Sequence, residues 1–242
     1  MVLLVLLLIA SFVPSILVFL YLRNNHGEDQ EYRTNCRKCL VGGMLCSIGV
    51  VLFSFATNLL FGVLGLGEAS VVARTAASAF VFAALSEELM KLWQTQKAIN
   101  RDIDRVCELD VVTFACIVGL GFGLLEAAVY VFFSSPGQII LRGIAMGHGA
   151  YGFIMGTILV QAMRKDSKAL KALALAVPVL IHGVFDFDLG LYREFGDGYG
   201  DISLAIEAMC ILIMIYLVFF YVRKARKNEK CLTPLYGGKH ME

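Results

Sequence analysis

Charged residues are scarce in this chain of 242 residues: Asp, Glu, Lys and Arg make up 17%, while hydrophobic residues make up 58%. A soluble domain carries about 25% charged residues, and the mean hydropathy here is +0.74. Several apolar runs approach the roughly 20 residues that a helix needs to cross a bilayer. The composition therefore excludes an ordinary soluble domain and predicts a polytopic membrane protein. The net charge of +1 gives no sign of a nucleic-acid partner.

Other familiar signals are also missing. The seven cysteines are an odd number without a disulfide framework. Cys36 and Cys39 form a lone C-x-x-C, and His26 alone does not complete a zinc site with them. We therefore interpret both as incidental cysteines beside a membrane helix. Met1–Leu22 lacks a basic n-region and a small-residue cleavage site, so we expect a retained first helix rather than a signal peptide.

Seven apolar segments, separated by polar or glycine-rich connections, predict an all-α helical bundle of about seven transmembrane helices. The segments are about Met1–Leu22, Cys39–Leu64, Thr75–Trp93, Val111–Phe133, Gln138–Met163, Ala169–Leu191 and Ile202–Val222. We expect one membrane domain in three parts. Residues 1–75 carry the first helices and a cytoplasmic loop, 76–189 the intramembrane core, and 190–242 the last helix and a basic tail.

Lysine and arginine predict the orientation. The connections after segments one, three and five, together with the tail, contain nearly all of these residues. Cytoplasmic loops of membrane proteins are enriched in lysine and arginine. Strict alternation around seven spans then places the N-terminus outside and the C-terminus in the cytoplasm.

The third segment contains two adjacent carboxylates and a lysine, Glu87, Glu88 and Lys91. Each charge near the middle of a membrane helix costs roughly 2.5–3.5 kcal/mol, so these groups must be paired, wet or chemically employed. Glu87 and Lys91 are four residues apart and share a helix face. One interpretation is a pair of interacting acids that provides an acid and a base side by side. The other is a helix end at the cytoplasmic interface, where Lys91 snorkels and both acids are wet.

The next three segments favour the first interpretation, because each also carries an acid or a histidine. Glu126 lies inside the fourth, with Tyr130 on the same face, and glycines flank His148 in the fifth. His182 and Asp186 are one turn apart in the sixth, where a carboxylate can fix the tautomer of a histidine. At 1.5 Å per residue these groups all lie roughly 15–24 Å into the membrane, so we expect them to converge.

Convergent carboxylates and imidazoles inside a membrane suit two chemistries. In hydrolysis, a carboxylate deprotonates water and a histidine or protonated acid stabilises the oxyanion. In a proton-coupled transporter or membrane sensor, the same groups form a relay. No H-E-x-x-H motif, no nucleophile motif with serine beside histidine, and no paired aspartate motif occurs in the sequence.

Three of these stretches resemble the motifs of the PrsW family of bacterial intramembrane proteases. Glu87-Glu88-Leu89-Met90-Lys91 is similar to its Glu-Glu-x-x-Lys motif, Phe122–Glu126 to its Phe-x-x-x-Glu motif, and His182–Asp186 to its His-x-x-x-Asp motif. Arg142 and the segment around His148 also resemble the stretch between the last two motifs. The related CAAX prenyl endopeptidases and bacteriocin-processing enzymes differ from this chain at all three motifs.

This resemblance implies a site-1-type protease that cleaves a single-span membrane protein such as an anti-sigma factor and thereby starts a stress response. It also implies the site residues. Glu87 is the expected general base, Glu88 and Lys91 tune its charge, Asp186 orients His182, and the site is completed by Glu126, His148 and His182. A zinc ion, if the enzyme is a metalloprotease, would be bound by Glu87, Glu126, His148 and His182. The absence of a local metal-ligand spacing favours glutamate-driven chemistry instead.

Overall fold

The computed structural model of the chain describes residues 2–63, 70–133, 146–196 and 198–235. Within these ranges the chain is helical apart from short turns and one isolated β-bridge between Cys107 and Pro234. The predicted all-α class is therefore confirmed.

Long helical rods follow the seven predicted segments in order. Five are single α-helices: α1 is Val2–Arg23, α2 Gln30–Val63, α4 Glu108–Phe133, α5 Gly147–Arg164 and α6 Lys168–Phe195. The other two contain a π-helical stretch. α3 comprises Val71–Ala76, π-helical Ala77–Leu85 and Ser86–Asn100; α7 comprises Asp201–Tyr216, π-helical Leu217–Tyr221 and Val222–Arg226. A short helix α8, Glu229–Leu232, follows.

Four of these rods contain stretches that are long and apolar enough to cross a membrane, among the residues that the structure describes. They are Gln30–Phe53 in α2, Glu108–Ala128 in α4, Lys168–Phe195 in α6 and Asp201–Arg226 in α7. A multi-pass membrane protein is thus confirmed, with four such spans among the described residues.

Two boundaries differ from the sequence prediction. Helix α2 begins at Gln30, well before the predicted start, so Cys36 and Cys39 lie inside the helix, where both are buried free thiols. Helix α5 begins at Gly147. Residues 138–145 of the predicted fifth span, including Arg142, lie outside the described residues, as does the side chain of Tyr130.

Helix α4 is the centre of the bundle: 78% of an apolar 18-residue stretch within Glu108–Ala128 is buried inside the protein, against 22% of such a stretch within Asp201–Arg226 in α7. Its glycines bring neighbouring backbones close. A Cβ on Gly121 would lie 2.1 Å from the carbonyl oxygen of Leu40 in α2, and one on Gly119 would lie 2.0 Å from that of His148 in α5. Small residues of this kind are the usual means of close helix packing in membranes. They also fix the backbone of His148 against α4.

The outer faces of the peripheral helices are apolar and exposed. Leu52 on α2 is 65% exposed, Leu180 on α6 59% and Leu212 on α7 66%. Exposed apolar surface on several helices of one bundle is what a lipid environment requires. These faces therefore mark the lipid-facing surface.

Polar contacts gather the charged connections at one end of the bundle. His26 Nε2 lies 2.6 Å from Asp110 Oδ1, and this hydrogen bond raises the pKa of His26. Three further contacts join these segments: Arg105 to Glu31 at 2.5 Å, Arg226 to Asn25 at 2.6 Å, and Arg164 to Glu108. The connections after α1, α3 and α5 and the end of α7 thus share one side, as their charge pattern predicts.

Substituting Gly43 tests the close packing of α2 on α4. Its Cβ would lie 2.1 Å from the carbonyl oxygen of Val118, so Gly43→Ala must push the two helices apart, and we expect a loss of about 1–3 kcal/mol. Thermal unfolding in detergent, followed by size-exclusion chromatography, measures this loss. Gly49→Ala in the same helix is the control, because its Cβ meets only Met90 Cε at 3.8 Å. Equal stability of both variants would contradict the packing described here.

Candidate active site

The acidic pair lies directly after a π-helical stretch of α3. Glu87 and Glu88 occupy the first turn of Ser86–Asn100, which continues from Ala77–Leu85 without a break. The hydroxyl of Ser86 lies 2.6 Å from the carbonyl oxygen of Phe82 and donates to it. Wide π-helical turns are frequent at functional sites, because they rotate the following residues relative to a regular helix. Here the stretch sets the direction in which both carboxylates point.

Glu88 and Lys91 form a buried ion pair. Lys91 Nζ lies 2.8 Å from Glu88 Oε1, and the side chains are 1% and 0% exposed. Glu87 Oε2 is farther from the same ammonium, at 3.6 Å. The alternative in which the lysine snorkels and both acids are wet is therefore wrong for this structure. The three groups lie inside the bundle and are paired with one another.

His182 lies between carboxylates from two helices. Its Nδ1 is 2.9 Å from Glu88 Oε1 on α3, and its Nε2 is 3.2 Å from Asp186 Oδ2, one turn along α6. Ionised carboxylates only accept hydrogen bonds, so His182 donates from both nitrogens, as an imidazolium does. The spacing of four residues predicts the contact with Asp186, whereas the contact with Glu88 is visible only in the fold.

His148 stands in the first turn of α5 and contacts two other helices. Lys91 Nζ is 2.8 Å from its Nδ1, and Glu126 on α4 contacts its Nε2. A lysine ammonium only donates, so Nδ1 accepts and Nε2 carries the proton that is donated to Glu126. Phe122 packs on both partners: its ring centroid is 4.3 Å from Lys91 Nζ and 5.0 Å from the His148 ring. This packing gives a physical role to the phenylalanine that stands four residues before Glu126.

Glu87 Oε2 is buried and has no hydrogen-bond partner among the described residues. It lies 3.9 Å from His148 Nδ1 and 3.9 Å from His182 Nε2. Ligand-type atoms of Glu87, His148 and His182 all lie within 4.8 Å of one another, the arrangement of a group that can hold a metal ion. Glu126, which the sequence analysis includes among the zinc ligands, contacts the far nitrogen of His148 instead.

A small cavity of about 40 Å³ adjoins the two histidines. That volume admits a water molecule. Its walls come from α4, α5, α6 and α7, and the lining residues are Gly123, Glu126, Ala127, Gly147, His148, Tyr151, His182, Phe185, Glu207 and Cys210.

Sequence reasoning misses two polar residues at this cavity. Tyr151 stacks on His182, with ring centroids 5.1 Å apart and an angle of 23°. Glu207 on α7 is 9% exposed. A single acid in the otherwise apolar seventh segment was a signal that could have found Glu207; no pattern in the sequence singles out Tyr151. Ser203, one turn before Glu207, donates from its backbone N–H to Asp188 at 2.8 Å and so fixes α7 on α6.

The structure thus brings all the site residues of the sequence analysis into one connected cluster built from four helices. α3 supplies Glu87, Glu88 and Lys91, α4 supplies Glu126, α5 supplies His148, and α6 supplies His182 and Asp186. Acids, a buried lysine and two histidines, with a water-sized cavity beside the histidines, are the parts that general acid–base hydrolysis requires.

Comparison with known proteins also points to hydrolysis. The sequence profile described as "PrsW family intramembrane metalloprotease" matches residues 33–222. "Protease PrsW" of Clostridioides difficile is 24% identical over 240 residues, which cover 94% of this chain and 92% of the relative. "Protease PrsW" of Geobacillus kaustophilus is 30% identical over 165 residues, covering 64% and 72%. No solved structure gives a significant match.

The family profile covers well over half of the chain, from the start of α2 to the end of α7, and includes every helix that contributes to the cluster. The chain therefore belongs to the PrsW family of intramembrane proteases.

Proposed function

We propose that this chain hydrolyses a peptide bond in or near the membrane segment of a membrane protein. The observation that carries the proposal is the position of Glu87 Oε2. This oxygen is buried, has no hydrogen-bond partner among the described residues, and faces a ring nitrogen of each histidine. An unsatisfied buried carboxylate oxygen is costly, and a water that donates to it removes that cost. The same contact places the water for deprotonation.

Glu87 is the general base in this proposal. A positioned carboxylate that takes the proton of the attacking water contributes typically 10²–10⁴-fold to the rate. Both nitrogens of His182 contact carboxylates, so in this proposal the positive charge of its ring beside Glu87, rather than a free N–H, stabilises the oxyanion that forms on the scissile carbonyl.

The neighbouring acids act as positioning residues for the two histidines. Glu88 and Asp186 contact opposite nitrogens of His182, and Glu126 contacts His148 Nε2. A carboxylate that contacts one ring nitrogen fixes the orientation of the ring and its tautomer. The tautomer determines whether the other nitrogen carries a proton or a lone pair. Lys91 neutralises the acidic pair and holds His148 by Nδ1.

The family description implies a metal ion, and the residues present fit one. The donor set of one carboxylate and two imidazoles is that of known catalytic zinc sites, and Glu87 Oε2 is without a hydrogen-bond partner among the described residues. Glu87, His148 and His182 would hold the ion, with Glu126 and Glu88 on the outer ring nitrogens. When bound, such an ion polarises the scissile carbonyl and makes water more nucleophilic. For the chain, binding requires that Lys91 leave His148 Nδ1 and that His182 lose a proton.

The substrate and the membrane arrangement extend the same proposal. A single-span membrane protein such as an anti-sigma factor is the substrate that the family resemblance supports. We further propose that all seven rods cross the cell membrane, with the N-terminus outside and the C-terminus cytoplasmic. The shared side of the lysine- and arginine-rich connections supports this orientation, and residues 76–189 form its catalytic core.

Glu87→Gln tests the base directly. We expect the rate of cleavage to fall by about 10²–10⁴-fold, because glutamine has the same size but does not take a proton from water. Initial rates with purified protein and a panel of single-span peptides, resolved by mass spectrometry, give this number. Glu194→Gln is the matched control, since Glu194 is exposed at the end of α6. Cleavage by Glu87→Gln at the rate of the control would refute the assignment.

A second prediction concerns the buried charge pair. Lys91→Met leaves Glu88 buried without its ammonium, and breaking such a pair costs about 3–5 kcal/mol. We expect the double variant Glu88→Gln, Lys91→Met to recover part of that stability, because residue 88 then no longer carries a buried charge without its ammonium partner. Thermal unfolding in detergent compares the variants, with Lys165→Met at an exposed position as control. A double variant less stable than Lys91→Met would show that the pair is not the stabilising unit.

A further inference from the structure

A second group of metal-ligating side chains lies away from the candidate active site. Ligand-type atoms of His26, Cys107 and Asp110 all lie within 4.8 Å of one another. His26 belongs to the connection between α1 and α2, Cys107 precedes α4, and Asp110 lies in its first turn. Asp110 and Glu126 are 16 residues apart on one helix, so the two sites are separated by roughly 24 Å.

We infer that His26, Cys107 and Asp110 form a binding site for a divalent transition-metal ion of the zinc class. Thiolate sulfur, imidazole nitrogen and carboxylate oxygen are the three ligand types that zinc takes in proteins. A site with these three ligands leaves one position of a tetrahedral ion for water. Cys107 and Asp110 are buried, while the side chain of His26 is 28% exposed, so an ion can reach the group from the His26 side.

The surroundings hold two of the ligands in place before any ion binds. Asp110 Oδ2 accepts the backbone N–H of Cys107 at 2.9 Å, which fixes the carboxylate at the start of α4. The His26 ring lies edge-on to Tyr32, with centroids 4.5 Å apart. Carboxylate ligands that are themselves hydrogen-bonded, and rings held by packing, are typical supports of metal sites. The backbone N–H of Leu235 donates to Val106 at 3.0 Å, so the chain after α8 lies beside the same group.

An ion here would join three parts of the chain that are far apart in sequence. The α1–α2 connection carries His26, and the α3–α4 connection carries Cys107. Pro234, in the segment after α8, forms a β-bridge with Cys107. Because the ligands are brought together only in the folded protein, binding adds to the free energy of unfolding. The site would thus stabilise the polar end of the bundle, independently of hydrolysis at Glu87.

Cobalt titration of the full-length protein in detergent tests the site, because thiolate bound to Co²⁺ gives an intense near-ultraviolet charge-transfer absorption. We expect saturation at about one thiolate-bound ion per chain, and a higher unfolding temperature with Zn²⁺. Cys107→Ser should lose the absorption, and His26→Ala should weaken binding by about tenfold or more. Cys116→Ser is the control: Cys116 is buried in α4, outside the group, and its variant should keep the absorption.

Two results would overturn the inference. One is a wild-type protein that shows no thiolate absorption with Co²⁺, in which case His26 and Asp110 form a hydrogen-bonded pair only. The other is an absorption that persists in Cys107→Ser, which would place the thiolate at a different cysteine. His26 lies in a surface connection, so His26→Ala is the variant to use if Cys107→Ser does not fold. Peptide cleavage is not the readout, so failure of this site and failure of the proposed function are distinguishable.

Discussion

The ammonium of Lys91 is the group on which the arrangement of the site depends. It lies 2.8 Å from Glu88 on its own helix and 2.8 Å from His148 on α5, while Glu88 in turn contacts His182 on α6. One buried ion pair therefore joins three helices. Removing charges from water is costly, and only several simultaneous contacts offset that cost. The same requirement explains why the acids and histidines lie at one level: each one neutralises or orients another.

The packing of α4 determines where these contacts form. Gly119 allows the backbone of His148 to approach α4, and a Cβ on Gly123 would meet the His148 ring at 3.1 Å. These two glycines, four residues apart on α4, thus form the surface against which the first turn of α5 packs. From that position His148 reaches Glu126 on α4 and Lys91 on α3. The close packing of apolar helices and the geometry of the polar site are consequences of the same small residues.

Much of this could be predicted from the sequence, because local spacing determines it. Hydropathy finds the seven rods, and four-residue spacing finds the contact of His182 with Asp186. Spacing does not find contacts between helices, such as those that make Glu126 a partner of His148 and Glu88 a partner of His182. It also favours Glu87 over Glu88 as the closer partner of Lys91, yet the distances are 3.6 and 2.8 Å. The difference comes from the side-chain conformations, because spacings of three and of four residues both place an acid on the same helix face as Lys91.

That difference between two adjacent glutamates underlies the different roles proposed for them. Glu88 is completely buried, and its Oε1 contacts both Lys91 and His182, so its charge is compensated within the protein. Glu87 has the weaker contact with Lys91, and its Oε2 has no hydrogen-bond partner in the described part of the chain. A carboxylate with two close cationic partners is a poor base, because those partners stabilise its ionised form, whereas one whose partners are farther away gains more by binding a proton or a cation. In the proposed mechanism, water or a metal ion that binds it would meet that need at Glu87, so the pairing of Glu88 would leave Glu87 available for chemistry.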